Sequence, residues 1–201
     1  MSKKFLKTFI IGIFIITGCG GNDDTPIPSD NNNTVTPLPE LTFEINTITA
    51  TMSGEIGSDV EEIITSLIDT VADLQWIVMQ DVTGSTDDKA TMNAGRIIRE
   101  NGININIPAD GIVDGGAVHF FIGGLKRTIA PGGQINVRSW NYNGSQGKDL
   151  PTSSLSHKPY KNYYDDMFIP QDFYWLQLET DHSDTHLVTE AEIDTFNLVT
   201  N

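Results

Sequence analysis

The chain has 201 residues and a formal net charge of -15, with 27 acidic against 12 basic residues. So acidic a composition argues against binding to nucleic acid and against adsorption to anionic lipid, because both kinds of binding depend on basic patches. Cys19 is the only cysteine, which excludes an intrachain disulfide, a cysteine nucleophile and a thiolate metal site.

The first residues indicate export. A basic start is followed by an apolar run from Thr8 to Ile16, which is shorter than the roughly 20 residues of a permanent membrane-spanning helix. Residues 16–19 read ITGC, the form of a lipobox, in which Cys19 receives the lipid. We therefore predict a lipoprotein signal peptide over residues 1–18 and a lipid anchor on Cys19.

Residues 19–40 are rich in Pro, Asn and Asp and almost free of apolar residues. Such a composition predicts a flexible linker, because it cannot bury enough surface to order itself. Residues 41–201 are long enough for one domain with its own core. This organisation predicts a protein of the bacterial cell envelope, held to a membrane by lipid, with its domain outside the cytoplasm.

The first half of the domain alternates strand and helix patterns. Residues 41–56 alternate as one or two strands, and Ser58 with Glu61 has the spacing of a capping box that opens a helix. Residues 74–82 form an apolar run typical of a buried parallel strand, and residues 82–86 predict a turn. A helix is predicted from Asp87 to Glu100, ended by Gly102.

The second half continues the alternation. Strands are predicted over residues 103–107 and 134–140, with an apolar helix over residues 115–126 between them. Residues 142–156 predict a loop, and residues 158–180 a helical stretch broken near Pro170. Thr189 and Glu192 have capping-box spacing at the start of a last helix. This order predicts an α/β fold with right-handed crossovers. The sequence contains no nucleotide-binding motif, and we predict no cofactor.

One segment carries a family resemblance. Residues 123–132 read GGLKRTIAPG, which resembles the turn before the base strand of Clp-type serine peptidases. With weaker matches over residues 49–199, the chain resembles the ClpP/crotonase-like superfamily, near the periplasmic ClpP-like proteins. The resemblance implies repeated ββα units. It also implies that the helical arm at residues 158–180 is an assembly element, so a homo-oligomer is a candidate state.

The resemblance places a degenerate triad on this chain. The nucleophile position falls on Gly115, the base position on Arg138 and the third position on Asp181. Residues 110–126 contain no Ser, Thr or Cys, and a guanidinium does not deprotonate to act as a base. The implied oxyanion-hole positions are Gly84, Ser85 and Gly116. The leading prediction is a non-catalytic pseudo-peptidase that binds a peptide or protein partner.

A displaced active site is the alternative. Asp114 is either a crotonase-like acid–base carboxylate or a helix N-cap, and the N-cap interpretation is favoured. We also hypothesise an ion pair between Asp114 and Arg138 that fills the vacated site. A displaced serine nucleophile could act with His157, but such proximity in a polar loop is mostly chance; the candidates are Ser139, Ser145, Ser153, Ser154 and Ser156.

The remaining ionisable residues favour structural roles. His119 lies on the apolar helix and is interpreted as a core histidine. Asp181, His182, Asp184 and His186 could suggest a metal site, but their turn-like sequence favours a solvated loop, and we predict no metal.

Overall fold

A computed structural model describes residues 40–200 of the chain. The predicted signal peptide, the lipidation site at Cys19 and residues 20–39 of the linker lie outside these described residues. Within residues 40–200, the helices are all too short or too polar to cross a membrane.

The described residues form six α-helices and ten short or medium strands. The helices are α1 Val60–Thr70, α2 Asp88–Glu100, α3 Ala117–Gly123, α4 Lys158–Asp166, α5 Gln171–Glu179 and α6 Glu190–Thr195. The strands are β1 Thr42–Asn46, β2 Thr49–Ile56, β3 Trp76–Ser85, β4 Asn104–Ile107, β5 Ile112–Asp114, β6 Arg127–Ile129, β7 Gln134–Val137, β8 Asn141–Tyr142, β9 Ser145–Gln146 and β10 His186–Leu187. Single 3-10 turns occupy Gly147–Asp149 and Leu155–His157.

The main sheet forks at β3. Its longest path runs β1-β2-β3-β5-β7-β10, with β2, β3, β5 and β7 parallel and the two outer strands antiparallel. The first half of β3, at Trp76–Val78, pairs with β4, which continues to β6. The second half, at Asp81–Val82, pairs with β5. The fork therefore brings the end of β5 beside the end of β3, where loops can form a site.

Burial follows the predicted periodicities. Alternate residues of β2 and β3 are buried, and α1 turns Val60, Ile64 and Leu67 inward. All seven residues of α3 are buried, so this helix lies inside the core. Helices α2 and α3 cross at glycines: a Cβ on Gly123 would lie 2.5 Å from the Gly95 Cα. Only two residues without side chains allow this approach.

Several local predictions need correction. The N-cap of α1 is Asp59 and not the predicted Ser58, and its side chain makes no capping bond. The Val60 N–H instead donates to the Gly57 carbonyl in a turn, at 3.3 Å. Strand β3 runs through the predicted turn to Ser85, since Gly84 at φ +150° and two register shifts against β2 keep it paired. Helix α3 is shorter than the predicted 115–126, and the predicted loop contains the β8–β9 hairpin.

The capping box of α6 is present as predicted. The Thr189 side chain accepts from the Glu192 N–H, and the Glu192 carboxylate accepts from the Thr189 N–H. The break near Pro170 is also present, between α4 and α5.

The end of the described chain is fastened to β6 by one buried arginine. Arg127 is 4% exposed and donates to the carbonyls of Gly124, Asn197 and Leu198 at 2.8–3.1 Å. The Thr200 N–H also donates to the Arg127 carbonyl at 3.0 Å. Burial lowers the pKa of Arg127 to about 10, with a smaller contribution from Arg99. The three carbonyls compensate the buried charge.

Candidate functional site

The site is built on a glycine elbow between β5 and α3. Strand β5 ends at Asp114, and Gly115 adopts φ +53°, which favours glycine. The Gly115 N–H donates to the Asn136 carbonyl of β7 at 2.9 Å, and Gly116 is the N-cap of α3. The sequence Asp-Gly-Gly therefore turns the chain sharply from the sheet edge into the buried helix.

Arg138 lies against this elbow. It follows β7 directly, and a Cβ built on Gly115 would be 3.4 Å from both the Nε and the Nη2 of Arg138. The guanidinium thus occupies the space into which a side chain at Gly115 would project. The predicted nucleophile and base positions are neighbours in this fold.

The hypothesised ion pair is present. Arg138 Nη2 lies 3.4 Å from Asp114 Oδ2, with both side chains about three-quarters buried. The favoured N-cap interpretation of Asp114 is wrong, because α3 begins three residues later and Gly116 caps it. Burial raises the pKa of Asp114, and Arg138 opposes that rise. Asp114 Oδ1 is buried and accepts no hydrogen bond from the residues described.

Asp181 has other partners. Its carboxylate accepts from Lys148 Nζ at 2.8 Å, from Gln146 Nε2 at 3.1 Å and from Ser183. The bond from Lys148, followed by those from Ser183 and Gln146, lowers the pKa of Asp181. These contacts tie the β8–β9 hairpin to the chain after α5. Asp181 is therefore engaged as a structural anchor.

Of the three oxyanion-like positions, Gly84 and Ser85 end β3, and Gly116 is the N-cap of α3. A Cβ on Gly116 would lie 2.8 Å from the Ser85 Cβ, so these two residues are neighbours. The Ser85 Oγ bonds the Thr91 Oγ1 at 2.7 Å and accepts from the Asp87 N–H at 3.1 Å. Ser85 is thus committed to the start of α2. The Gly116 N–H has no backbone acceptor among residues 40–200 and remains a free donor.

Sequence reasoning missed Asp88. Its Oδ1 fills the space that a Cβ on Gly116 would need, and its Oδ2 accepts from the Tyr160 OH at 2.8 Å. Burial, and then Asp88 itself, raises the pKa of Tyr160. An Asp at a helix start and a Tyr among other aromatics both have structural explanations in the sequence. Only the juxtaposition of α2 and α4 places them at the elbow.

His119 is a core histidine, as predicted. It is 3% exposed, and burial lowers its pKa, with Asp88 opposing. Its Nε2 lies 4.0 Å from Asp88 Oδ2, and its Nδ1 lies 3.3 Å from the Tyr164 OH. His119 therefore contacts Tyr164 through one ring nitrogen and lies near the Asp88 carboxylate with the other.

The displaced hydroxyls and the histidines near the end have separate surroundings. His157 is buried with its Nδ1 2.7 Å from the Tyr174 OH, and Ser154 caps the turn before it. His182 Nδ1 contacts the Ser139 carbonyl at 2.9 Å, and His186 pairs with Glu192 at 3.0 Å. Among residues 40–200 there is no cluster of three metal-ligating side chains.

Comparison with solved structures identifies the fold. The domain superposes with a TM-score of 0.51 on a putative polyketide biosynthesis enoyl-CoA hydratase from Bacillus subtilis, at 9% identity, covering 79% of this chain and 69% of that one. The domain has a ClpP/crotonase-like fold.

Two other solved structures superpose with lower TM-scores, at somewhat higher sequence identity. A variant of the 1510-N membrane-bound stomatin-specific protease has a TM-score of 0.49 at 17% identity, with 74% of this chain and 75% of that chain covered. An enoyl-CoA hydratase/isomerase family member has a TM-score of 0.48 at 12% identity, with 81% and 69% covered. No family model and no curated protein sequence matches the chain. At such low identity the likeness concerns the fold alone, and the chemistry must be read from the residues.

Proposed function

We propose that this ClpP/crotonase-like domain is a pseudo-peptidase, which binds a peptide or protein partner without hydrolysing it. We further propose that lipid on Cys19 holds the chain to a membrane of the bacterial cell envelope. The observation that carries the first proposal is the Arg138 guanidinium, which lies 3.4 Å from the Cβ position of Gly115 and pairs with Asp114.

The elbow lacks the groups for acyl transfer. That reaction needs a nucleophile within hydrogen-bond reach of a base. Residues 110–126 supply no Ser, Thr or Cys, and Arg138 stays protonated. Ser85 is the hydroxyl beside Gly116, but it is already hydrogen-bonded to Thr91 and Asp87. Losing a triad member costs several orders of magnitude in rate.

Binding has the groups it needs. The free Gly116 N–H and the partly exposed Arg138 guanidinium both offer donors at the elbow. Donors placed there suit the carbonyl oxygens of a peptide backbone. The domain can therefore hold an acyl group in position without attacking it.

The test is labelling of the purified chain with a fluorophosphonate probe. We expect no labelling of the wild type and labelling of the double variant Gly115→Ser, Arg138→His. Each single variant is the control, because either one alone lacks half of the dyad. Labelling of the wild type would overturn the proposal. The serine at φ +53° costs stability, about 1 kcal/mol, so circular dichroism should confirm that the double variant is folded.

Binding is tested separately with an array of random 12-residue peptides. We expect the wild type to bind a subset and Arg138→Glu to lose most of that subset, because the substitution reverses the charge at the elbow. Lys126→Glu is the matched control, since it makes the same charge change at an exposed site away from the elbow. Equal binding by Arg138→Glu and wild type would contradict a role for the elbow.

A second candidate function is acid–base chemistry on an acyl substrate. It is favoured by the carboxylates beside the elbow: Asp88 Oδ1 lies against Gly116, and Asp114 Oδ1 lacks a hydrogen bond. Under this alternative, p-nitrophenyl acetate is hydrolysed by the wild type and not by Asp88→Asn or Asp114→Asn. Asp69→Asn on the exposed face of α1 is the control. An inert wild type removes this alternative.

A further inference from the structure

A short chain of hydrogen bonds joins three aromatic side chains next to α4 and α5. Trp140 Nε1 lies 2.9 Å from the Tyr174 OH, which lies 2.7 Å from His157 Nδ1. An indole N–H can only donate, so the Tyr174 oxygen accepts from Trp140. Tyr174 has no other partner among residues 40–200, so its own proton is donated to His157 Nδ1.

The tautomer of His157 follows from this chain. Because Nδ1 accepts, the neutral ring carries its proton on Nε2. That atom is buried and has no hydrogen-bond partner in the part of the chain that the structure describes. Both His157 and Tyr174 are 1% exposed, so bulk water does not compete for the bond between them. His157 Nδ1 is therefore a base placed directly on the phenolic proton of Tyr174.

The rings around this bond are stacked. Tyr160 stacks on both Trp140 and Tyr174, with ring centres 5.6 and 5.3 Å apart and planes within 16° of parallel. Trp175 packs on Tyr174 with a centre distance of 5.1 Å. Trp140, Tyr160 and Trp175 are partly exposed, whereas Tyr174 is buried. Since indole and phenol rings are readily oxidised by one electron, the stack connects partly exposed oxidisable rings to one buried phenol.

Two other phenols have weaker or more distant bases. The Tyr160 OH donates to the Asp88 carboxylate at 2.8 Å, and a carboxylate is in general a weaker base than an imidazole. The Tyr164 OH lies 3.3 Å from His119 Nδ1, and burial lowers the pKa of His119. Tyr174 is therefore the phenol best placed to lose its proton as it loses an electron.

We propose that Tyr174 and His157 form a site of proton-coupled one-electron oxidation, which the stacked rings supply. The oxidant is an organic peroxyl radical or a radical of similar strength, which takes one electron from Trp140 and becomes an anion. Tyr174 then gives an electron to Trp140, and its phenolic proton passes to His157 Nδ1. The products are the reduced oxidant, a neutral tyrosyl radical and an imidazolium, so electrons, protons and charge balance. The proposal does not depend on the function proposed for the elbow.

The surroundings suit both products. The Trp140 N–H remains in place to donate to the tyrosyl oxygen. The ring centre of His157 is 4.9 Å from that of Trp175, which is within the range of cation–π attraction for an imidazolium. Burial raises the pKa of Tyr174, and the hydrogen bond from Trp140 opposes that rise. The phenol is therefore protonated at neutral pH, and its oxidation needs a base to take the proton.

The test is pulse radiolysis of the full chain with azide in a saturated, non-aromatic detergent, followed by transient absorption. Azidyl radicals oxidise tryptophan, and we expect tryptophanyl absorption to convert into tyrosyl absorption in a first-order phase. Tyr174→Phe should lose this phase, because it removes only the hydroxyl. Tyr163→Phe is the matched control and should keep it, since the Tyr163 OH donates to the His119 carbonyl, which is not a base. A wild type without the phase, or a phase unchanged in Tyr174→Phe, overturns the proposal.

The role of His157 as a base has its own readouts. We expect the phase to be slower in deuterated water, because a proton moves with the electron. His157→Gln should lose the phase, since an amide oxygen can accept from Tyr174 but is not basic, whereas His182→Gln at an exposed histidine should keep it. A wild type without an isotope effect, or an unchanged phase in His157→Gln, would show that His157 only packs there. Circular dichroism confirms the fold of each variant, and the isotope effect is measured on the wild type alone.

Discussion

Asp114 and Arg138 are a pair in which burial and charge oppose each other. Burial raises the pKa of Asp114 above its ordinary 3.8, and the guanidinium partly reverses this. A carboxyl whose folded pKa is raised loses stabilisation as the pH rises from its unfolded pKa through its folded one. At neutral pH the carboxylate is therefore tolerated largely because Arg138 faces it.

Arg138→Ala should destabilise the domain by about 1–3 kcal/mol at pH 7, because it leaves a buried carboxylate unpaired. Chemical denaturation measures the loss. In the background of Asp114→Asn the same substitution should cost much less. A cost of Arg138→Ala that does not depend on residue 114 would show that the guanidinium acts through packing alone.

The pKa of Asp181 is shifted in the opposite direction from that of Asp114. Its pKa is lowered, first by the hydrogen bond from Lys148. A depressed carboxyl contributes stability that is present above its unfolded pKa, near 3.8, and is lost as the pH falls through its folded pKa. The Asp181 carboxylate therefore stabilises the domain at neutral pH.

Asp181→Asn should therefore lower the melting temperature at pH 7, and the difference from wild type should shrink as the pH is taken below 4. Lys148→Ala removes the same contact, so the two substitutions combined should cost less than their sum. Strict additivity would contradict the coupling.

Individual side chains were the hardest features to predict. The neighbours Gly115 and Arg138 followed from motif position, but the ion pair with Asp114 could only be hypothesised. Asp88 was missed because an acid in the first turn of a helix is explained by the helix alone. Its contact with Tyr160 joins residues 72 positions apart, and no local pattern reports such a contact.

Among the elements, the crossing of α2 and α3 sets the position of the elbow. The backbones meet at Gly95 and Gly123. Because the obstacle to a side chain is backbone, no rotamer change can relieve it. The glycines thus fix the depth at which α3 and its N-cap Gly116 lie in the domain.

Gly123→Ala should destabilise the domain by about 1–3 kcal/mol through overpacking. Gly144→Ala is a useful comparison, since it has φ +82° but nothing within 4 Å of its Cβ position. It should cost about 1 kcal/mol from backbone strain alone. Urea denaturation compares the two, and equal costs would mean that the helices can separate without penalty.

Elements with a strong period were predictable, and their ends were not. The amphipathic pattern of α1 and the apolar run of β3 locate both elements, because burial of one face dominates their sequence. The ends depend on tertiary contacts: β3 passes its predicted turn because β2 continues to pair with it. The apolar context of residues 115–116 predicts a helix, whereas the Gly115 N–H bonds the Asn136 carbonyl of β7 and holds Gly115 in the elbow.

For the whole molecule, the sequence predicts a lipid-anchored chain with an acidic domain. The full chain has a formal net charge of -15, and such an excess of acidic residues disfavours adsorption to anionic membrane surfaces. A single acyl chain binds membranes only marginally, so stable anchoring needs more than one. The predicted linker over residues 19–40 sets the distance between domain and bilayer.

Cys19→Ser should abolish incorporation of an alkyne-tagged fatty acid into the chain, because Cys19 is its only cysteine. In-gel fluorescence after click labelling provides the measurement, and Ser2→Ala in the signal peptide is the control that should still label. Persistent labelling of Cys19→Ser would place the lipid elsewhere or remove the anchor prediction.

The hydrogen bonds of Arg127 affect how well the protein resists proteases. Three carbonyls compensate its charge, and two of them belong to Asn197 and Leu198. Cleavage of the chain just before Asn197 would leave a buried cation with one carbonyl, that of Gly124. An uncompensated buried charge destabilises the fold, so a cut at this one place would weaken the domain as a whole and expose further chain to digestion.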